Sequence, residues 1–186
     1  MTEYVPGGRR RVDRVLAPDF TVGLEDLDLD EVRTRRAEAD QEETDLSYAR
    51  RLLQGRVDIL RAEQAGRHGD GPMSGHPKTD AEIAKALASV LADDRRQDHG
   101  LGRHTVAAPS RIGEHRREAE RAVADVGGSA THELSDDELA AAIAKLTDIE
   151  SRVSRVRRDV QGVVDALTAE IARRYAAGGI PVGAGA

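Results

Sequence analysis

From Leu139 onward the apolar positions recur in steps of three and four: Leu139, Ile143, Leu146, Ile149, Val153, Val156, Val160, Val164, Leu167 and Ile171. That is the period of a helix with one apolar seam, and its run of roughly nine turns predicts a coiled coil and excludes a strand. Ser135 and Glu138 stand at the spacing of a capping box, so the helix should begin at 134 and continue to 177, before Gly178, Gly179 and Pro181. An earlier segment shows the same grammar. Asp28 stands three residues before Glu31, an apolar seam follows at Leu46, Leu53, Val57 and Leu60, and RHGDGPMSGHP ends the pattern after Gly66. A long helix over 27–66 is expected.

The rest of the chain is patterned more weakly. Residues 1–26 carry Pro6, Gly7, Gly8, Pro18 and Gly23 without apolar periodicity and read as a flexible N-terminal arm. The connector, 67–133, should hold short helices near 80–97, where Thr79 and Glu82 form another capping-box pattern, and near 111–126. Residues 178–186 form a tail. The expected fold is all-α, an antiparallel coiled-coil hairpin of two long helices with short helices in a mobile connector.

Composition fits an open shape of this kind. Val, Leu, Ile and Phe together make 39 of 186 residues, close to the level below which chains stay disordered, and Cys and Trp are absent. The apolar supply must therefore be concentrated, and the two seams are where it lies. A net charge of −6 argues against direct DNA binding, and the lack of Cys excludes disulfides and thiolate metal sites. No apolar run is long enough to cross a bilayer, and the N-terminus lacks a signal-peptide stretch, so no membrane association and a cytoplasmic location are expected. The six His residues have no i, i+4 spacing, which predicts no metal site; no nucleophile arrangement stands out, which predicts no enzymatic activity.

Shifting the chain by 107 positions superposes the two long helices without a gap. Residues 43–60, ETDLSYARRLLQGRVDIL, face 150–167, ESRVSRVRRDVQGVVDAL, with nine identities in eighteen. The recurrent polar set is Glu43, Ser47, Arg50, Gln54 and Asp58, repeated as Glu150, Ser154, Arg157, Gln161 and Asp165: E-x3-S-x2-R-x3-Q-x3-D. Those steps keep five side chains within a stripe roughly 80° wide beside the seam. Gly55 and Gly162 recur as well, each costing helix stability of about 1 kcal/mol, which suits a close approach to the backbone by a ligand or a tight helix crossing.

Symmetry limits what such a repeat can build. In an antiparallel pair the pseudo-two-fold axis runs perpendicular to the helices, so both stripes share one face and ten side chains form one site. In a parallel pair two half-sites would lie on opposite sides. The connector is too long to fix the direction, but a shared site suits these residue types better. Arginine offers a planar fork for phosphate oxygens or a guanine edge, and carboxylates accept from guanine N–H groups. A two-fold-symmetric nucleotide is the natural guest.

The doubled motif resembles that of the RsiG family, cyclic di-GMP-dependent anti-sigma factors that hold the sporulation sigma factor WhiG inactive in Streptomyces. All ten motif positions match, and the repeat covers about 80 of the 186 residues. The resemblance implies that cyclic di-GMP binds as a dimer on the paired helices, with Arg50, Arg157, Asp58 and Asp165 recognising guanine or phosphate. It also implies that the loaded form binds a WhiG-type sigma factor and releases it when the nucleotide falls. The alternative is a structural coiled-coil adaptor with no nucleotide dependence.

A partner surface is also suggested by asymmetry between the helices. Tyr48, Leu52 and Ile59 make an apolar strip where the second helix has Arg155, Asp159 and Ala166. It would receive the sigma factor or the chain's own connector; packing by the short helix at 80–97 is the alternative. The excess of acid over 19–45, eleven Asp or Glu against three Arg, could complement basic surfaces of a sigma factor.

Overall fold

The computed structural model describes residues 4–68, 113–126 and 131–178. Among these there is no strand; four α-helices, α1 (Arg11–Val15), α2 (Leu29–Arg67), α3 (Glu114–Ala124) and α4 (Asp136–Gly178), and three short 3-10 turns make up the fold. The expected helix at 80–97 lies outside the described residues. Helices α2 and α4 pack antiparallel along most of their length, about 60 Å, and form the expected hairpin.

Both long helices start where their polar residues dictate. Asp28 accepts the Glu31 backbone N–H at 2.7 Å, satisfying one of the amides that a helix start leaves without a partner. Ser135 and Glu138 cap reciprocally: the Ser135 backbone N–H donates to the Glu138 carboxylate at 2.8 Å, and the Glu138 N–H donates to Ser135 Oγ at 3.3 Å. The seam between the helices is fully buried at Val32, Ala39, Leu46, Leu53, Leu60, Leu139, Leu146, Val160 and Leu167, with Val57, Val153 and Val156 almost so. Ile143, Ile149, Val164 and Ile171 are partly buried at its margins.

The pseudo-symmetry reaches beyond the motif. At one end of the hairpin Arg67 donates to the Leu134 carbonyl at 2.6 Å and to Asp136 at 3.0 Å; at the other, Arg174 donates to the Leu27 carbonyl at 2.8 Å. Arg67 and Arg174 are 107 positions apart, and so are Leu134 and Leu27. Each arginine ties the end of its own helix to the residues leading into the other, so the register of the hairpin is held at both ends by the same contact.

The N-terminal segment corrects the expectation of a flexible arm. Val12 and Val15 of α1 are buried, as is Leu24 in the turn that follows. Arg11 reaches α2, bonding Glu42 at 2.5 Å and also Asp45. Asp13 accepts the Val5 N–H at 2.9 Å and the Arg10 side chain at 2.8 Å, and the Arg10 guanidinium holds its carboxyl down at about 2 despite burial. Gly8 closes over that carboxylate so tightly that a Cβ there would lie 2.2 Å from Asp13 Oδ2. A helix of five residues offers too few turns for periodicity to show, which is why the segment reads as unstructured in the sequence.

Helix α3 lies inside the span expected at 111–126 and packs on α2 through Ala119, Ala122 and His115, with Val126 just beyond its end. His115 Nε2 meets Glu42 Oε1 at 2.5 Å, so one buried carboxylate joins α1, α2 and α3. Burial opposes ionisation of Glu42, but hydrogen bonds from His115 and Arg11 outweigh it and the carboxyl titrates below its ordinary range. The residue 107 positions on is Ile149. The two long helices thus depart from symmetry where α1 and α3 dock.

Candidate functional site

The antiparallel pairing brings the two polar stripes onto one face. The pseudo-two-fold axis crosses the hairpin near residues 46–47 and 153–154, so Glu43, Ser47 and Arg50 meet Glu150, Ser154 and Arg157 at its centre. Arg157 donates across the interface to Glu43 Oε1 at 2.9 Å, and Arg50 approaches Glu150 Oε1 at 3.8 Å. Within each helix, Ser47 donates to Glu43 at 2.8 Å and Ser154 to Glu150 at 2.7 Å. Gln54 accepts from Arg50 at 2.9 Å, and Gln161 accepts from Arg157 at 3.3 Å. Every one of these contacts has its symmetry mate.

Eight of the ten motif side chains therefore form a network in two symmetry-related halves, Glu43, Ser47, Arg157 and Gln161 in one and Glu150, Ser154, Arg50 and Gln54 in the other, each bridging the two helices. Asp58 is set at one outer end, lining a groove of about 200 Å³ with Arg50, Gln54, Val57, Arg61, Thr147 and Glu150. Asp165 stands at the opposite end. Arg61 and Thr147 are not part of the motif, and sequence reasoning missed them. The available signal was helical spacing: Arg61 follows Asp58 by three residues and Thr147 precedes Glu150 by three, so both extend the same face.

The network leaves specific capacity unused. The Nε–H groups of Arg50 and Arg157 are buried and have no acceptor. A buried donor without a partner is costly, of the order of 1–3 kcal/mol, and here two symmetry-related ones point to an acceptor supplied from outside the chain. The groove is also smaller than the 300–1,000 Å³ typical of pockets that bury a whole small molecule, so a ligand here would lie along the face and stay open on its outer side.

Gly55 and Gly162 are explained by neither helix packing nor backbone conformation. A Cβ at either position would meet nothing within 4 Å, and neither residue has a positive φ. This removes the tight helix crossing that their recurrence allowed. Gly55→Ala and Gly162→Ala are each expected to raise hairpin stability by about 1 kcal/mol, read as a higher denaturation midpoint.

The apolar strip on α2 is divided by the fold. Tyr48 is half-buried, with the Arg116 guanidinium of α3 over its ring at 5.3 Å; Leu52 is half-buried against the core; Ile59 is 54% exposed. Among the described residues it is α3 that covers Tyr48; the helix expected at 80–97 lies outside them. Among them, too, there is no cluster of three or more potential metal ligands, and no helix long and apolar enough to cross a membrane.

Comparison with known proteins adds one match. The model of the RsiG-like family fits residues 18–91 and 125–185, which include both copies of the motif and both long helices. No curated protein matches the chain.

Proposed function

The chain belongs to the RsiG-like family, whose members are anti-sigma factors, and on that premise we propose that it binds cyclic di-GMP on the two-fold face and, when loaded, sequesters a WhiG-type sigma factor. The observation that carries the reading is the pair of buried, symmetry-related Nε–H groups of Arg50 and Arg157 without acceptors, at the centre of a face that is itself two-fold. Cyclic di-GMP has two guanines and two phosphates related by a two-fold axis, so a symmetric host can offer each half the same partners. Phosphate oxygens or guanine O6 and N7 would accept from the two arginines; Asp58 and Asp165, which have no hydrogen bond or ion pair to a described residue, would accept from guanine N–H groups.

The nucleotide acts here as a component of an interface, with no bond made or broken in it. Because the groove is open, a ligand lying along it presents an outer surface that a partner can cover. Binding of the two is then coupled: nucleotide raises affinity for the sigma factor by the same factor as the sigma factor raises affinity for the nucleotide. Ile59, exposed on the side of α2 away from the motif, and the acidic N-terminal half of α2 are further surfaces offered to the same partner.

Titration calorimetry of cyclic di-GMP into the chain, alone and with the sigma factor, tests the reading. The expected result is saturable binding, tightened by the partner. Heat that never rises above dilution in either titration would leave the structural adaptor as the function.

A further inference from the structure

The ten motif side chains are a poor host for an anion on their own. Four carboxylates against two guanidiniums give a net charge of −2, which repels a phosphodiester at close range. Something outside the motif has to offset it.

Arg61 does so at one end. It lines the groove with Arg50, Asp58 and Glu150, is exposed, and has no hydrogen bond or ion pair to a described residue. Its equivalent in the second copy is Thr168, which brings no charge. There the cation comes from the opposite helix: Arg36 Nε donates to Thr168 Oγ1 at 3.0 Å. The equivalent of Arg36 is in turn Ile143. One end of the face thus pairs positions 61 and 143 as Arg and Ile, and the other pairs 168 and 36 as Thr and Arg. The repeat breaks at both positions, yet one extra arginine is kept at each end.

We propose that Arg61 and Arg36 are the outer anion-binding residues of the two half-sites, each holding a phosphate of the bound nucleotide; this rests on the reading of the face as a nucleotide site. The two ends differ in strength. Arg50 and Arg61 balance Asp58 and Glu150, whereas Arg157 and Arg36 face Asp165, Glu43 and also Asp40, whose carboxylate lies 3.7 Å from Arg36. Asp40 is replaced by Thr147 in the first half-site. The Arg61 end is neutral and the Arg36 end carries −1, so the first is the tighter.

Calorimetry with cyclic di-GMP at two salt concentrations provides the test. Arg61→Ala is expected to weaken binding by about 10- to 100-fold, the weight of a charge-assisted hydrogen bond, and to flatten the salt dependence. Arg36→Ala should weaken it less, and Arg36→Ala/Thr168→Arg should regain the lost affinity by placing the cation where Arg61 stands in the other half-site. Arg121→Ala on α3 removes the same charge elsewhere and should change nothing; melting temperatures of all variants separate binding from folding. Wild-type affinity in Arg61→Ala, equal weakening by Arg121→Ala, or no recovery from Thr168→Arg overturns the assignment of these arginines alone. Absence of binding by the unaltered chain overturns the nucleotide reading together with it.

Discussion

Arg157→Ala is expected to lower cyclic di-GMP affinity by at least about 100-fold and to abolish nucleotide-dependent capture of the sigma factor. Arg157 holds three functions at once. It bridges the helices to Glu43 at 2.9 Å, orients Gln161 at 3.3 Å, and presents a buried Nε–H with no acceptor. Alanine removes all of them and takes the motif's net charge from −2 to −3. Arg50→Ala should act alike, because Arg50 stands in the symmetry-related place with the same unpartnered Nε–H. Lysine should not rescue either position, since a point charge cannot reproduce the planar fork.

Folding should change little in these variants. Arg157 and Glu43 are about one quarter exposed, and ion pairs of that kind contribute about 1 kcal/mol or less. Melting temperature and calorimetry on the same samples separate the outcomes. Retained binding in both variants would remove the nucleotide reading, and retained binding in only one would show that the two half-sites do not share a single ligand symmetrically.

Leu46→Ala is expected to destabilise the hairpin by about 2–5 kcal/mol, measured as a shift in denaturant midpoint. Leu46 is fully buried beside the pseudo-two-fold axis, and its symmetry mate Val153 is 3% exposed. The surrounding side chains belong to two long rods tied at both ends by Arg67 and Arg174, so the cavity has little freedom to collapse. Leu46→Met keeps the volume and should cost less than about 1.5 kcal/mol. Ligand binding should fall with stability in the alanine variant and be recovered on cooling, because the polar face beside the seam depends on the helices holding their register. A midpoint unchanged by Leu46→Ala would mean that the seam does not carry the fold.

Nearly all of the hairpin could be read in the chain. Asp28 with Glu31 and Ser135 with Glu138 announce both helix starts because capping is local chemistry, decided within one turn. The seam was equally legible, since burial of one face imposes its period over many residues. The N-terminal segment was not. Its order comes from Arg11, Val12 and Val15 meeting α2 more than twenty residues away, and nothing in five residues of helix records that contact. Glu42 is a similar case: in the sequence it is one acid in an acidic stretch, and only the docking of α1 and α3 makes it a buried carboxylate shared by three helices.

The site divides along the same line. The repeat of E-x3-S-x2-R-x3-Q-x3-D determined which ten side chains lie beside the seam, because helical spacing alone assigns residues to a face. It left open whether the two stripes face the same way, since that depends on the direction of pairing. The antiparallel register settled it, joining Glu43 to Arg157 and Arg50 to Glu150 through contacts between residues 100 or more positions apart. Tertiary structure alone also placed Arg36 beside Thr168, so that two arginines unrelated by the repeat occupy related ends of one face. Local sequence fixes what a helix presents; what it is presented to is a matter of which helix lies alongside, and in which direction.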